Sequence, residues 1–241
     1  MPECKRISMW SGPRNISTAL MYAFRQRSDT EVFDEPLYAH YLTTTDVRHP
    51  GDEEVIAAMD GNGERVVREV LLGACDTPVR FFKNMAHHLA GLDRAFLGEV
   101  TNILLTREPR AMLTSLSKQL PDPTLRDTGL DRQVELLDFI LESGQTPVVL
   151  LAKEILRNPQ SVLNQMCELL GLPFETQMLS WSAGPKPEDG VWAKHWYDSV
   201  HASTGFAPYE EKRAELPEGL EPLLDECLPY FERLSTYAIK S

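Results

Sequence analysis

The stretch Lys5-Arg6-Ile7-Ser8-Met9-Trp10-Ser11-Gly12-Pro13-Arg14-Asn15-Ile16-Ser17-Thr18-Ala19-Leu20-Met21-Tyr22-Ala23-Phe24 decides the fold. Residues 5–10 read as a strand, 11–18 as a turn and 19–24 as the start of a helix. A helix N-terminus carries unpaired N–H groups and a partial positive charge, so it attracts anions. Arg14 adds a full charge, and Ser17 and Thr18 add hydroxyl donors. The unit is close to the phosphate-binding pattern Gly-x-x-x-x-Gly-Lys-Ser/Thr. Gly12 stands at the right distance from Ser17-Thr18, but the Gly-Lys pair is missing. An ordinary serine-capped turn is the structural alternative. The arginine inside so tight a turn argues for a ligand.

Outward from this unit, strand-like and helix-like runs alternate. Residues 31–34, 79–83, 101–106 and 147–151 read as strands, the last two strongly buried. Residues 64–75, 109–118, 131–142 and 159–170 have helical spacing, and Gly171 stops the last of these. Apolar strands alternating with helices imply an α/β fold: three layers, a mostly parallel sheet, helices on both faces. One domain over residues 1–241 is expected, with a long ordered loop region at 180–218 and a closing helix at 217–234. Ligands in such sheets bind at the carboxyl ends of strands. Five segments put polar groups there: 11–18, Asp34-Glu35, 83–88, Arg107 and Lys153-Glu154.

Composition narrows the function. The net charge of −12 argues against a general nucleic-acid or polyanion binder, so any anion site is local. The four cysteines, Cys4, Cys75, Cys167 and Cys227, have no paired spacing. Neither a zinc site nor a disulfide framework is expected, and a reducing, cytoplasmic setting is the default. No apolar run approaches a membrane span, and residues 1–6 contain no signal core. The charged runs Asp52-Glu53-Glu54 and Glu210-Glu211-Lys212-Arg213 read as solvated faces.

A second phosphate-binding element follows the strand at 101–106. Arg107 leaves that strand, and Ser115 lies eight residues later, about two turns into a helix. A guanidinium fork with a hydroxyl donor suits a phosphate monoester. A surface arginine and an unrelated helix serine are the alternative.

These motifs together resemble the sulfotransferase family. The strand, Gly-Pro-Arg, Ser-Thr and helix start at 5–24 is similar to the family's 5′-phosphosulfate loop. The Arg107 to Ser115 spacing is similar to its 3′-phosphate motif. Residues 148–173, from Val148-Val149-Leu150-Leu151 to Leu169-Leu170-Gly171-Leu172-Pro173, add a third stretch in the right order. The likeness covers roughly residues 5–175 and is nearer to bacterial and Golgi-type members than to cytosolic ones. It implies a P-loop-like fold and 3′-phosphoadenosine 5′-phosphosulfate (PAPS) as sulfuryl donor, with no metal required. Gly12, Pro13, Arg14, Asn15, Ile16, Ser17 and Thr18 would hold the 5′ end, with Arg107 and Ser115 on the 3′-phosphate. Ile16 departs from the family's usual glycine. The Arg-Lys-Gly…Gly-x-Trp-Lys segment survives at most as a remote version in residues 184–194.

Sulfuryl transfer needs positive charge on the leaving phosphate, a base for the acceptor proton and in-line positioning. The resemblance gives the charge to Arg14 and Lys83. Two contenders remain for the base. Glu35, in Phe33-Asp34-Glu35-Pro36, is the favoured one; His87 or His88 is the other. The aromatic run Trp192-Ala193-Lys194-His195-Trp196-Tyr197 is either a wall of the acceptor pocket or a loop anchored by core rings. The expected partner is a small-molecule acceptor with a hydroxyl or amine, with a homodimer as the default assembly. A P-loop kinase and a non-catalytic nucleotide-binding protein of the same fold are the rival readings.

Overall fold

The computed structural model describes residues 4–210 and 215–241. Residues 211–213 of the second charged run lie outside them. In chain order the elements are β1 (Lys5–Ser11), α1 (Ser17–Arg25), β2 (Thr30–Asp34), α2 (Tyr38–Thr44), α3 (Asp52–Ala58) and α4 (Gly63–Val66). A π-helical stretch continues α4 over Val67–Leu71. Then come β3 (Val79–Met85), β4 (Thr101–Thr106), α5 (Pro109–Leu116), α6 (Leu125–Thr128), α7 (Leu130–Glu142), β5 (Val148–Leu151), α8 (Ala152–Arg157) and α9 (Pro159–Leu169). The short helices α10 (Ala193–Trp196) and α11 (Asp198–His201) lie between 180 and 218, and α12 (Glu221–Ser235) closes the chain.

The five strands form one wholly parallel sheet in the order β2-β3-β1-β4-β5. The expected α/β architecture, helices on both faces, is the one found. The two-residue period of a strand explains how it is covered. Ile7, Met9, Phe81, Ile103, Leu105, Val148 and Leu150 face one core with the apolar sides of α1 and α9. Trp10, Phe82, Leu104 and Val149 face the other, with α5, α7 and α12. Truncating a fully buried member such as Leu104 to alanine would cost about 2–5 kcal/mol. Two polar pairs bridge strands inside the sheet: Asn84 donates to Ser8 Oγ (3.1 Å), and Trp10 Nε1 donates to Asn102 Oδ1 (2.9 Å).

One expectation fails here. Cys4 and Cys75 form a disulfide, with 6.1 Å between their Cα atoms. Their 71-residue separation shows no motif in sequence. The pairing of β1 with β3 brings them together, because Lys5 sits beside Val79. The helical stretch expected over 64–75 correspondingly ends at Leu71. Cys167 and Cys227 stay free and buried.

In the first acidic run, Glu53 and Glu54 are exposed on α3, and Glu54 pairs with Lys194. Among the described residues no helix is long and apolar enough to cross a membrane.

Candidate active site

The carboxyl ends of β1, β2, β3 and β4 open into one cleft of about 450 Å³. Residues 12–18, Glu35, Lys83, His87, His88 and Arg107 all line it. Ser115 joins them through Arg14, whose Nε donates to its Oγ at 3.1 Å.

The β1–α1 loop is shaped by close packing and one strained residue. A Cβ on Gly12 would lie 2.7 Å from the Thr128 carbonyl oxygen, so glycine is needed for the approach to α6. Arg14 takes a left-handed conformation (φ 53°), uncommon for a residue with a side chain. Two neighbours hold it there. Arg107 donates to the Arg14 carbonyl, and Asn15 ties the loop to β4 through the Leu105 carbonyl (3.0 Å). Ile16 has φ −93°, which any residue adopts, so its difference from glycine costs the loop nothing. Ile16, the N-cap residue of α1, offers no side-chain cap, which leaves the first amides of the helix for a ligand.

Arg14 and Arg107 therefore stand side by side with no ion-pair partner among the described residues. Glu108, the nearest acid in sequence, spends its carboxylate on the amides of Arg110 and Ala111 at the start of α5. Burial lowers the proton affinity of both guanidiniums, and for Arg107 the charge of Arg14 adds to it. Both remain cations.

The second centre lies where β2 meets β3. Asp34 and Lys83 are register partners across these parallel strands. Lys83 Nζ donates to Asp34 Oδ1 (2.8 Å), to the Glu35 carboxylate and to Tyr197 Oη (2.7 Å). Glu35 is the second left-handed residue that is not glycine (φ 45°), and its N–H donates to the Lys83 carbonyl at 2.7 Å. Burial pushes the Glu35 carboxyl above its usual value, against the pull of the Lys83 charge. Burial alone would lower the Lys83 ammonium, but Asp34 and Glu35 hold it well above its usual value. A neutralisable carboxyl thus sits beside a permanent cation.

The histidines behave differently. His87 and His88 are buried next to each other, and His88 Nε2 is 4.0 Å from a Glu35 oxygen. Burial pulls His87 down to about 3, and burial plus its histidine neighbours pulls His88 well below the usual range. Both rings are neutral at physiological pH. Neither Nδ1 has a hydrogen-bond partner among the described residues.

Aromatic side chains line part of the remaining cleft, among them Tyr38, Tyr41, His49, Trp192, Trp196 and Tyr197. The run at 192–197 is both wall and anchor. Tyr197 donates to the Asp34 carboxylate (2.8 Å), and Trp192 Nε1 donates to Tyr197 (3.1 Å). Lys194 turns outward to Glu54, and His195 packs toward Gly51, so neither lines the cleft. Lys186 is buried elsewhere, donating to the carbonyls of Ser182 (2.8 Å) and Gly184 (2.6 Å). The Lys153-Glu154 segment also lies outside the cleft; Glu154 accepts from Ser241. The sequence places Asp34 at a strand end and Tyr197 in an aromatic run, but not their meeting, which depends on register and on a loop far along the chain. Their signal was proximity: each sits inside a segment already singled out.

Against this geometry, the sequence matches the sulfotransferase domain family over residues 5–238. The chain belongs to the sulfotransferase family. Solved structures sharing its fold include the sulfotransferase domain from the curacin biosynthetic pathway, at TM-score 0.52 and 16% identity, covering 98% of this chain and 99% of that one. A sulfotransferase from Alicyclobacillus acidocaldarius has TM-score 0.56 and 15% identity, covering 97% and 95%. Among curated proteins, branched-chain-amino-acid aminotransferase-like protein 1 of Arabidopsis thaliana is 40% identical over 98% of this chain. Branched-chain-amino-acid aminotransferase-like protein 2 is 38% identical over 95%. The chain spans only 43% and 41% of these relatives, so most of each lies outside the match with this chain.

Proposed function

We propose that the protein transfers a sulfuryl group from PAPS to a hydroxyl or amine of a small-molecule acceptor. One observation carries this reading: two adjacent guanidiniums, Arg14 and Arg107, form no ion pair among the described residues and stand beside the N-terminus of α1. That arrangement suits a donor with phosphate at both ends of an adenosine. Arg14 and the first amides of α1 would meet the 5′ end, and Arg107 with Ser115 the 3′-phosphate. Arg14 now bonds Ser115 and would exchange that partner for the donor.

The acceptor enters from the aromatic end of the cleft, which suits a flat, largely apolar molecule. Its oxygen or nitrogen attacks sulfur while its proton passes to Glu35. The bond from sulfur to the 5′-phosphate oxygen breaks, and adenosine 3′,5′-bisphosphate leaves with the charge that Arg14 offsets. Lys83 has three N–H groups and three oxygen partners. Once Glu35 carries a proton, its hold on Lys83 weakens, and one N–H becomes available to the sulfuryl oxygens. His87 and His88, whose proton affinity burial lowers, suit the role of base less well than Glu35, whose affinity burial raises.

The test compares adenosine 3′,5′-bisphosphate, ADP and ATP-magnesium in thermal shift. Ligand at a hundredfold over its Kd adds about 2.7 kcal/mol of stability. The bisphosphate should shift the protein most, and Ser115→Ala should narrow its lead over ADP. Equal shifts for the bisphosphate and ADP reject PAPS as donor. Bisphosphate binding with no turnover on any acceptor would favour the non-catalytic reading.

A further inference from the structure

Tyr197 is the hub of the buried polar group behind Glu35. Its Oη accepts from Lys83 Nζ (2.7 Å) and from Trp192 Nε1 (3.1 Å), and its proton goes to Asp34. One donor and two lone pairs are all that a phenol has, and all are used. Asp34 is equally well served: it receives Lys83, Tyr197 and the Gly190 N–H at 3.1 Å. The Tyr197 side chain sits in the cleft wall, 5% exposed, between α10 and α11.

We infer that Tyr197 is a positioning residue: by hydrogen-bonding Asp34, it directs the charge of Lys83 toward Glu35 and so tunes the base. The argument is a competition. Asp34 and Glu35 share one ammonium. The phenol proton and the Gly190 N–H offset part of the Asp34 charge. Without the phenol, Asp34 draws the ammonium more strongly, and Glu35, desolvated, holds a proton more tightly. The groups facing Glu35 are Asp34 at the end of β2, Lys83 of β3, Tyr38 of α2, His88 beyond β3, and Tyr197 itself. Asp34 and Lys83 are the charged members, so the loss of Oη acts through them. The catalytic consequence rests on the assignment of Glu35 as base.

The experiment reads Glu35 directly. The protein is labelled with carbon-13 at glutamate Cδ, and the Glu35 resonance, assigned by its loss in Glu35→Gln, is titrated. Tyr197→Phe should raise the midpoint by about half a pH unit or more, the scale of one net hydrogen bond. The acid limb of kcat should move the same way, with KM for PAPS unchanged. Tyr22→Phe is the control. It removes a phenol that binds Asp189 (2.7 Å) at the far anchor of the same segment, and the Glu35 midpoint should stay put. An unchanged or lowered midpoint in Tyr197→Phe overturns the inference, as does an equal rise in Tyr22→Phe. If Tyr197→Phe does not fold, Asp34→Asn serves: removing the competitor should lower the midpoint, and a rise overturns the inference. A wild-type protein that never transfers from PAPS would reject the proposed function, yet the titration would still decide the role of Tyr197.

Discussion

Glu35 and Lys83 are joined twice: the Glu35 N–H donates to the Lys83 carbonyl at 2.7 Å, and the Lys83 ammonium donates to the Glu35 carboxylate. The first link holds Glu35 in the left-handed region, a conformation that costs about 1–3 kcal/mol for a residue with a Cβ. Among the described residues, Arg14 is the other one with a Cβ held in that region. The two strained backbones belong to the two groups proposed to handle the acceptor proton and the leaving phosphate.

Replacing Glu35 by glutamine keeps the side chain's size and a carbonyl for Lys83 but removes the base. Turnover should fall by about 10²–10⁴-fold, the usual contribution of a positioned base. Binding of adenosine 3′,5′-bisphosphate, measured by calorimetry, should persist, because Glu35 lies in the second centre and not among the cations. Near-normal turnover would pass the role to another group.

The buried histidines make stability depend on pH. His87 is lowered from 6.5 to about 3, and His88 is lowered too. A base with a depressed folded pKa contributes stability that is fully present above its unfolded pKa. That stability is lost as pH falls from there toward the folded value. From pH 6.5 downward, His87 alone should remove about 1.4 kcal/mol per pH unit. Urea unfolding at pH 7.5 and 5.5 should show this loss, and His87→Gln should reduce it. A wild-type stability that is flat over that interval would mean the rings are not buried in neutral form.

Much of this arrangement was legible from local pattern. The strand, turn and helix at 5–24, the strand at 101–106 and the Arg107 to Ser115 spacing needed only periodicity and residue type. What could not be read was lateral. Asp34 meets Lys83 through register, Tyr197 reaches both from more than a hundred residues away, and Cys4 meets Cys75 across a strand pair. Lys153-Glu154 ended a buried strand as expected, yet its side chains turn from the cleft, because α8 begins there at once. Strand ends identify a rim; they do not fix which way each side chain points.

Ile16 offers a test of the loop's logic. A glycine there would match the family habit, but φ −93° needs none. Ile16 also packs against the core on the α1 side of the sheet. Ile16→Gly should therefore leave donor affinity unimproved and cost about 1–3 kcal/mol from lost apolar burial and gained backbone freedom. Tighter bisphosphate binding in this variant would mean that the isoleucine does strain the loop.

The Cys4–Cys75 bridge fastens the start of β1 to the segment leading into β3, the two strands at the heart of the sheet. Closing so long a loop should stabilise the fold by about 2–4 kcal/mol, chiefly by restricting the unfolded chain. A reducing agent should thus lower the urea midpoint of the wild-type protein. Cys75→Ala should start at the lower midpoint and ignore the reductant. Cys167 and Cys227 should remain thiols in both, since burial raises each to about 11 and hides it from alkylation until unfolding. Non-reducing peptide mapping checks the pairing itself. If the wild-type midpoint is indifferent to reductant and all four cysteines alkylate on unfolding without it, the bridge is absent. The β1–β3 hydrogen bonds, continuous from Lys5↔Val79 to Ser11↔Met85, would then hold that edge of the fold alone.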